Sequence, residues 1–314
     1  MLDIKLLYIY IYIYMKIALC FFGLPRLINE CHDDIKKYFI ENINVDIYAH
    51  FWWSPDYCGK INRLHVKEKY PIDYQPIELF KNIYKPKKII YEECPISDQN
   101  HIFKINGWTT CNAEDENEFY LKIITNYIKY TFYSRYLSQY KCYKLIENVN
   151  DYDLIIFLRT DLIRFDNLRT FIQDFQNCNI ENNVYCASSL HGGPMFGGEY
   201  PDRACDWFEI ISPIYVDKYM NTKYEIIHDK NSRIPIHNQE KINYFANKSN
   251  LNLKIFNSAI TVRRYIVEEW ENKKYLLENK IEPQNYNEIF LNCKDNINNE
   301  ILPFYTKYIL NWKL

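Results

Sequence analysis

The residues best suited to chemistry cluster around one short apolar run. Asp153-Leu-Ile-Ile-Phe-Leu158 is followed at once by Arg159-Thr-Asp161 and preceded by Asp151-Tyr-Asp153. A carboxylate such as Asp161 could hold a divalent ion that bridges two phosphates, with oxygen ligands suited to Mg²⁺ or Mn²⁺. Arg159 could instead meet a phosphate itself or form a salt bridge inside the fold. Asp151 and Asp153 have a D-x-D spacing, yet they stand on the other side of the run. Gly23-Leu-Pro-Arg26 ends an earlier apolar run and offers a guanidinium that could reach a phosphate or a base carbonyl. Four of the seven glycines fall in His191-Gly-Gly-Pro-Met-Phe-Gly-Gly198. In so glycine-poor a chain, that segment predicts close backbone approach to a ligand or a lid closing over it, with a hairpin tip as the plain alternative.

Downstream lie Asp202, Asp206 and Trp207, two candidate general bases for a hydroxyl and a ring able to stack on a sugar face. Glu240, in His237-Asn-Gln-Glu240, is either a first-turn acid favoured by a helix dipole or a late-contributed site residue. His50 reads as a satisfied core histidine. Neither G-x-G-x-x-G nor G-x-x-x-x-G-K-[ST] occurs, so dinucleotide dehydrogenases and P-loop enzymes fit poorly. No serine has a G-x-S-x-G context, which leaves a hydrolase triad without support.

These residues need elements to hold them. Lys16–Phe22 is a continuous apolar run stopped by Gly23-Leu-Pro25, as in a fully buried parallel strand. Leu27, Cys31, Ile35 and Phe39 step by four and predict a helix, after which Val45–His50 predicts a second strand. That opening argues a doubly wound α/β sheet. Lys87–Tyr91, Leu154–Leu158, Val184–Ala187 and Leu253–Phe256 read as further strands. Helices are predicted over about 118–148, 205–220, 239–248 and 266–279, while five prolines between 54 and 118 suggest surface connections. Ligands of such sheets bind outside the carboxyl ends of the strands. That rule favours Gly23, Arg26, Arg159 and Asp161, and places Asp151 and Asp153 at the wrong edge.

The chain has 314 residues, 48% hydrophobic and 25% charged, enough for a sizeable core without staples. A net charge of −2 gives no reason to expect nucleic acid as a partner, and aromatics at 17% argue against disorder. Ten cysteines lack any C-x-x-C, which reads as unpaired thiols in a reducing, cytoplasmic setting. Ile9-Tyr-Ile-Tyr-Ile-Tyr14 looks like a translated A-T repeat, so residues 1–14 are expected to be an extension outside the fold and 15–314 the domain. The rivals are a type II membrane anchor over Leu6–Phe22, short and containing Lys16, and an added edge strand. A membrane is not the expected partner.

Lys16-Ile-Ala-Leu-Cys-Phe-Phe-Gly-Leu-Pro-Arg26, Asp46–Trp52, Tyr133-Ser134 with Cys142, Tyr152–Leu162 and His237-Asn-Gln-Glu-Lys241 before Arg263-Arg264 fall in order. Together they resemble a poorly characterised group of glycosyltransferase-like proteins of giant viruses, algae and bacteria. The resemblance implies a single GT-A-like, Rossmann-related α/β domain with a mixed, mostly parallel sheet flanked by helices. Its nucleotide-sugar half would be about 15–165 and its acceptor half about 166–314, in a cytoplasm that is the host's if the protein is viral. It implies a nucleotide-sugar donor, a glycan or protein-linked acceptor, and a metal on Asp161. Gly23, Arg26, Arg159, His191, Gly192 and Gly193 would lie by the donor, and Asp202, Asp206 and Glu240 would serve catalysis. Arg159 stands where the first acid of the D-x-D belongs, which opens the question of metal dependence. An inactive nucleotide- or sugar-binding module and a glycoside hydrolase are the alternatives, the latter needing two carboxylates about 5–10 Å apart.

Overall fold

A computed structural model describes residues 15–41, 43–58, 73–94, 104–106, 132–163, 182–189, 204–235 and 238–262. The strands are β1 (Lys16–Gly23), β2 (Asn44–Trp52), β3 (Lys88–Glu92), β4 (Lys104–Asn106), β5 (Leu154–Leu158), β6 (Leu162–Ile163), β7 (Asn183–Ser189), β8 (Ala204–Ile211), β9 (Arg233–Pro235) and β10 (Asn252–Val262). The helices are α1 (Ile28–Ile35, prolonged by a π turn over Lys36–Ile40), α2 (Pro76–Tyr84), α3 (132–143), α4 (Pro213–His228) and α5 (Asn238–Lys248).

Eight strands form one sheet in the order β3-β2-β1-β5-β8-β7-β10-β6. Pairings among β3, β2, β1 and β5 are parallel, as is β7 with β10, whereas β8 runs antiparallel between β5 and β7. This is the α/β class expected, with a mixed, mostly parallel sheet. β4 and β9 pair separately.

Two layers of helix cover the sheet because its central strands are apolar on both faces. Phe80 and Tyr84 of α2 pack on Phe21, and Phe39 packs on Phe208. On the other face Ala18, Cys20, Phe22, Ile155, Phe157, Val184 and Cys186 meet apolar residues of α3, α4 and α5. Each fully buried Val, Ile or Phe side chain among them contributes about 1.5–3 kcal/mol from removal of its surface from water.

Two expectations need correction. Residues 205–211 are strand, not helix: Trp207-Phe-Glu-Ile-Ile211 is buried between β5 and β7, and a short apolar run has no period that separates strand from helix. The proline-rich stretch also holds a helix. Pro76 sits in the first turn of α2, where its missing N–H costs nothing, and Lys85 closes the helix in the left-handed region with Pro86 beyond.

The amino edge is an anchor. Asp153 accepts from the Lys16 backbone N–H at 2.7 Å, and its own N–H returns to the Lys16 carbonyl at 2.8 Å. Asp151 accepts from Asn148 Nδ2 in a local turn. Alongside, the Tyr152 hydroxyl donates to Asp46, and Lys87 pairs with the same carboxylate. Burial works against the charge of Asp46, but these hydrogen bonds outweigh it and hold the carboxyl below its ordinary range.

Contacts divide the chain into two compact units, one of 1–55, 75–191 and 200–263 and one of 56–74, 192–199 and 264–314. The sheet belongs to the first. Of the second, residues 56–58 and 73–74 are described, with the Cys58 thiol donating to the Tyr74 carbonyl. Residues 1–14, 118–131 and 266–279 lie outside the described residues. Among the described cysteines, Cys20, Cys31, Cys58, Cys94, Cys142 and Cys186 are not joined in disulfides. No described helix is long and apolar enough to cross a membrane.

Candidate functional site at the carboxyl edge of the sheet

Gly23 closes β1 with φ +93°, a backbone conformation that side-chain-bearing residues rarely adopt. Its N–H donates to Ser138 Oγ of α3 at 2.8 Å. Ser138 is fully buried and lies 2.9 Å from His50 Nδ1 and 3.0 Å from the His50 carbonyl, while His50 Nε2 lies 3.2 Å from Glu92 Oε1. Glu92 also receives Lys141. Burial alone would raise the Glu92 carboxyl, but hydrogen bonds from Lys141 and His50 hold it below the ordinary range. An ionised carboxylate only accepts, so His50 Nε2 carries the proton and donates to Glu92, while the Ser138 hydroxyl donates to the His50 carbonyl. Burial, with the nearby Lys141 charge, pushes the His50 pKa down to about 4 although Glu92 pulls the other way. The row has the residue types of a hydrolytic relay, but Ser138 is closed off from solvent and accepts the Gly23 N–H. It is a lock for the turn after β1, and His50 is the core histidine expected.

The next turn carries the cations. Arg26, 9% exposed, is held through its backbone: its N–H donates to Thr160 Oγ1 at 3.0 Å, and the Thr160 hydroxyl donates to the Arg26 carbonyl at 2.8 Å. Thr160 thereby ties the loop after β1 to the loop after β5. On either side of it, Arg159 Nε donates to Asp161 Oδ1 at 2.9 Å and Nη2 to Oδ2 at 2.5 Å. The side chain of Arg159 is 13% exposed and that of Asp161 1%. The Arg159 guanidinium carbon stands 5.9 Å from the Trp207 ring centre. Gly23, Arg26, Arg159 and Asp161 therefore reach one edge, with Trp207 beside them.

The other candidates stand differently. Glu240 is exposed in the first turn of α5 and, among the described residues, makes no hydrogen bond or ion pair with the edge. Asp206 lies on β8, one residue before Trp207. Asp202, His191, Gly192 and Gly193 lie outside the described residues, and so does the glycine-rich segment.

A divalent cation on Asp161 does not fit the described donor set. Both carboxylate oxygens face Arg159, and no three His, Cys, Asp or Glu side chains among the described residues gather as ligands.

Sequence reasoning missed a buried charged group one step below this edge. Glu209 is paired in the sheet with Phe157, and its Oε2 accepts from Lys223 Nζ at 2.5 Å, while Gln139 Oε1 accepts from the same nitrogen at 2.9 Å. Glu209, Gln139 and Lys223 are at most 1% exposed, and the ammonium lies 4.2 Å from the Tyr219 ring centre. Burial lowers the Lys223 pKa, with Glu209 opposing. Lys241, also buried, lies over Phe132 at 3.6 Å and is driven further down by burial and by Arg135. The available signal was an acid inside the apolar run Trp207–Ile211 and a lysine on the stripe Val216, Tyr219, Met220, Ile226, Ile227.

No protein-family model and no curated protein matches the chain. Among solved structures it is similar to a protein described as a glucose-1-phosphate thymidylyltransferase from Bacillus anthracis, in complex with sucrose, at 11% identity and a TM-score of 0.36 over 79% of this chain and 89% of that one. It is also similar to mouse xyloside xylosyltransferase 1 in its apo form, at 10% identity and a TM-score of 0.34 over 77% and 84%. Both likenesses are loose, and neither assigns an activity to this chain.

Proposed function

We propose that the protein is a GT-A-like glycosyltransferase moving a sugar from a nucleotide-diphosphate donor to a hydroxyl of a glycan or protein-linked acceptor. The observation that carries this reading is the Arg159–Asp161 fork beside Trp207, placed at the carboxyl end of β5 and clamped by Thr160 to the Arg26 turn. Strand ends of an open α/β sheet are where such ligands bind. In the transfer, the acceptor oxygen bonds to the anomeric carbon, the bond from that carbon to the diphosphate breaks, and the acceptor proton passes to a carboxylate. Negative charge grows on the leaving diphosphate, and fixed guanidinium groups there are the electrostatic element that lowers such a barrier. Trp207, foreseen as a ring for stacking on the sugar, is 5% exposed and instead lies under the Arg159 guanidinium, which it helps to hold. Asp202, Asp206 and Glu240 are the candidates to receive the proton, and His191, Gly192 and Gly193 to approach the donor. The donor side is assigned to about 15–165 and the acceptor side to about 166–314.

A second reading is an inactive nucleotide- or sugar-binding module, favoured by one observation: Asp161 is engaged by Arg159. A panel of nucleotide sugars separates the two. Thermal stabilisation by a donor followed by release of free nucleoside diphosphate and a glycosylated acceptor supports the enzyme. Stabilisation without turnover supports the module, and no stabilisation by any donor sinks both.

A further inference from the structure

We propose that the diphosphate site needs no divalent cation, because the Arg159 guanidinium already occupies both oxygens of Asp161 and stands in the place of a metal ion there. The inference rests on the reading of the carboxyl edge as a nucleotide-diphosphate site and adds how that site is charged. Guanidinium stays protonated at any working pH and presents its donors in a planar fork that matches a carboxylate or phosphate. Here two donors of the fork meet both oxygens of Asp161, at 2.9 and 2.5 Å, and the carboxylate is almost wholly buried.

A cation placed on Asp161 would have to displace that fork or sit against it. Displacement leaves a guanidinium without its carboxylate in a site that is mostly closed to water. Sitting against it puts a doubly charged ion at the same carboxylate as a fixed positive charge. Magnesium also demands near-octahedral oxygen ligation and gives up its waters reluctantly. The described residues bring no second acid to share the load.

The surroundings favour a rigid guanidinium. Thr160, between the pair, is buried and bonded in both directions to the Arg26 backbone, so the segment cannot swing out without breaking that clamp. The Arg159 guanidinium carbon lies over the Trp207 ring at cation–π distance. Asp161 is accordingly a positioning residue that acts through Arg159.

The test is equilibrium binding of UDP, GDP and their sugar conjugates to the full chain, with EDTA in one arm and Mn²⁺ in the other. The expected result is a Kd that agrees within about twofold between the arms. Arg159→Ala should weaken binding by about tenfold or more in both arms, and Arg159→Lys should recover it only in part because the ammonium lacks the fork. Asp161→Asn should weaken binding equally with and without Mn²⁺. Tightening by Mn²⁺ of about tenfold or more, with Mn²⁺ bound in the wild-type complex by its paramagnetic resonance signal, overturns the proposal. The two wild-type arms decide it even if a variant does not fold. Binding of no nucleotide in either arm removes the diphosphate reading and this proposal with it, whereas cation-dependent binding removes this proposal alone.

Discussion

The lock behind Gly23 predicts a specific acid sensitivity. His50 has a buried ring, and its pKa falls from 6.5 to about 4 in the folded protein, through burial first and the Lys141 charge in addition. A histidine whose folded pKa is depressed favours the neutral form in the native state. Its contribution is therefore complete above about pH 6.5 and is lost as the pH falls toward 4. The fall from 6.5 to about 4 corresponds to about 3 kcal/mol. Within that window the unfolded chain holds up to about one proton more than the folded one at this site, a slope near 1.4 kcal/mol per pH unit. Glu92, also held below its ordinary range, adds loss of the same sign at the acid end. Urea denaturation of the wild type and of His50→Gln at steps from pH 7 to pH 4 measures the term directly. The wild type should lose about 3 kcal/mol more than the variant across the window. Parallel stability curves, or a His50 ring titrating in NMR near 6.5, would refute the reasoning. Because Ser138 connects the ring to the Gly23 N–H, donor binding by the folded protein should weaken only as the pH comes down to about 4, where the native ring takes its proton, and less so in the variant.

Gly23→Ala should destabilise the protein by about 1–2 kcal/mol in chemical denaturation, through positive-φ strain alone, since a Cβ there meets nothing within 4 Å. Lys223→Met should cost about 3–5 kcal/mol by leaving Glu209 buried without its counter-charge, and Lys223→Met with Glu209→Leu should regain most of it in the same assay. A double variant no more stable than the single one would contradict that assignment. Asp153→Asn, at the amino edge, should leave the Kd for a nucleotide sugar unchanged while lowering the thermal midpoint slightly, because its carboxylate anchors the Lys16 N–H.

Much of the fold was legible because it is written locally. Continuous apolar runs at Lys16–Phe22 and Leu154–Leu158 read as strands buried on both faces because they are too short for a helix and end abruptly, the first at Gly23-Leu-Pro25 and the second at the charged Arg159-Thr-Asp161. The edge rule then separated Arg159 and Asp161 from Asp151 and Asp153 without coordinates. Local patterning was silent where two states share one pattern. Trp207–Ile211 became a strand because β5 and β7 leave a gap that only an extended, antiparallel chain fills with paired backbone groups. Tertiary packing also decided every partnership across sequence distance. His50, Glu92 and Ser138 come from three elements, and neither spacing nor periodicity announces that they meet at Gly23. The same holds for Lys223 against Glu209 and Gln139. For Asp161 the sequence left a metal and its neighbour Arg159 both open. In the structure both carboxylate oxygens accept from that guanidinium, because a carboxylate so deeply buried needs a partner of opposite charge and matching geometry within reach.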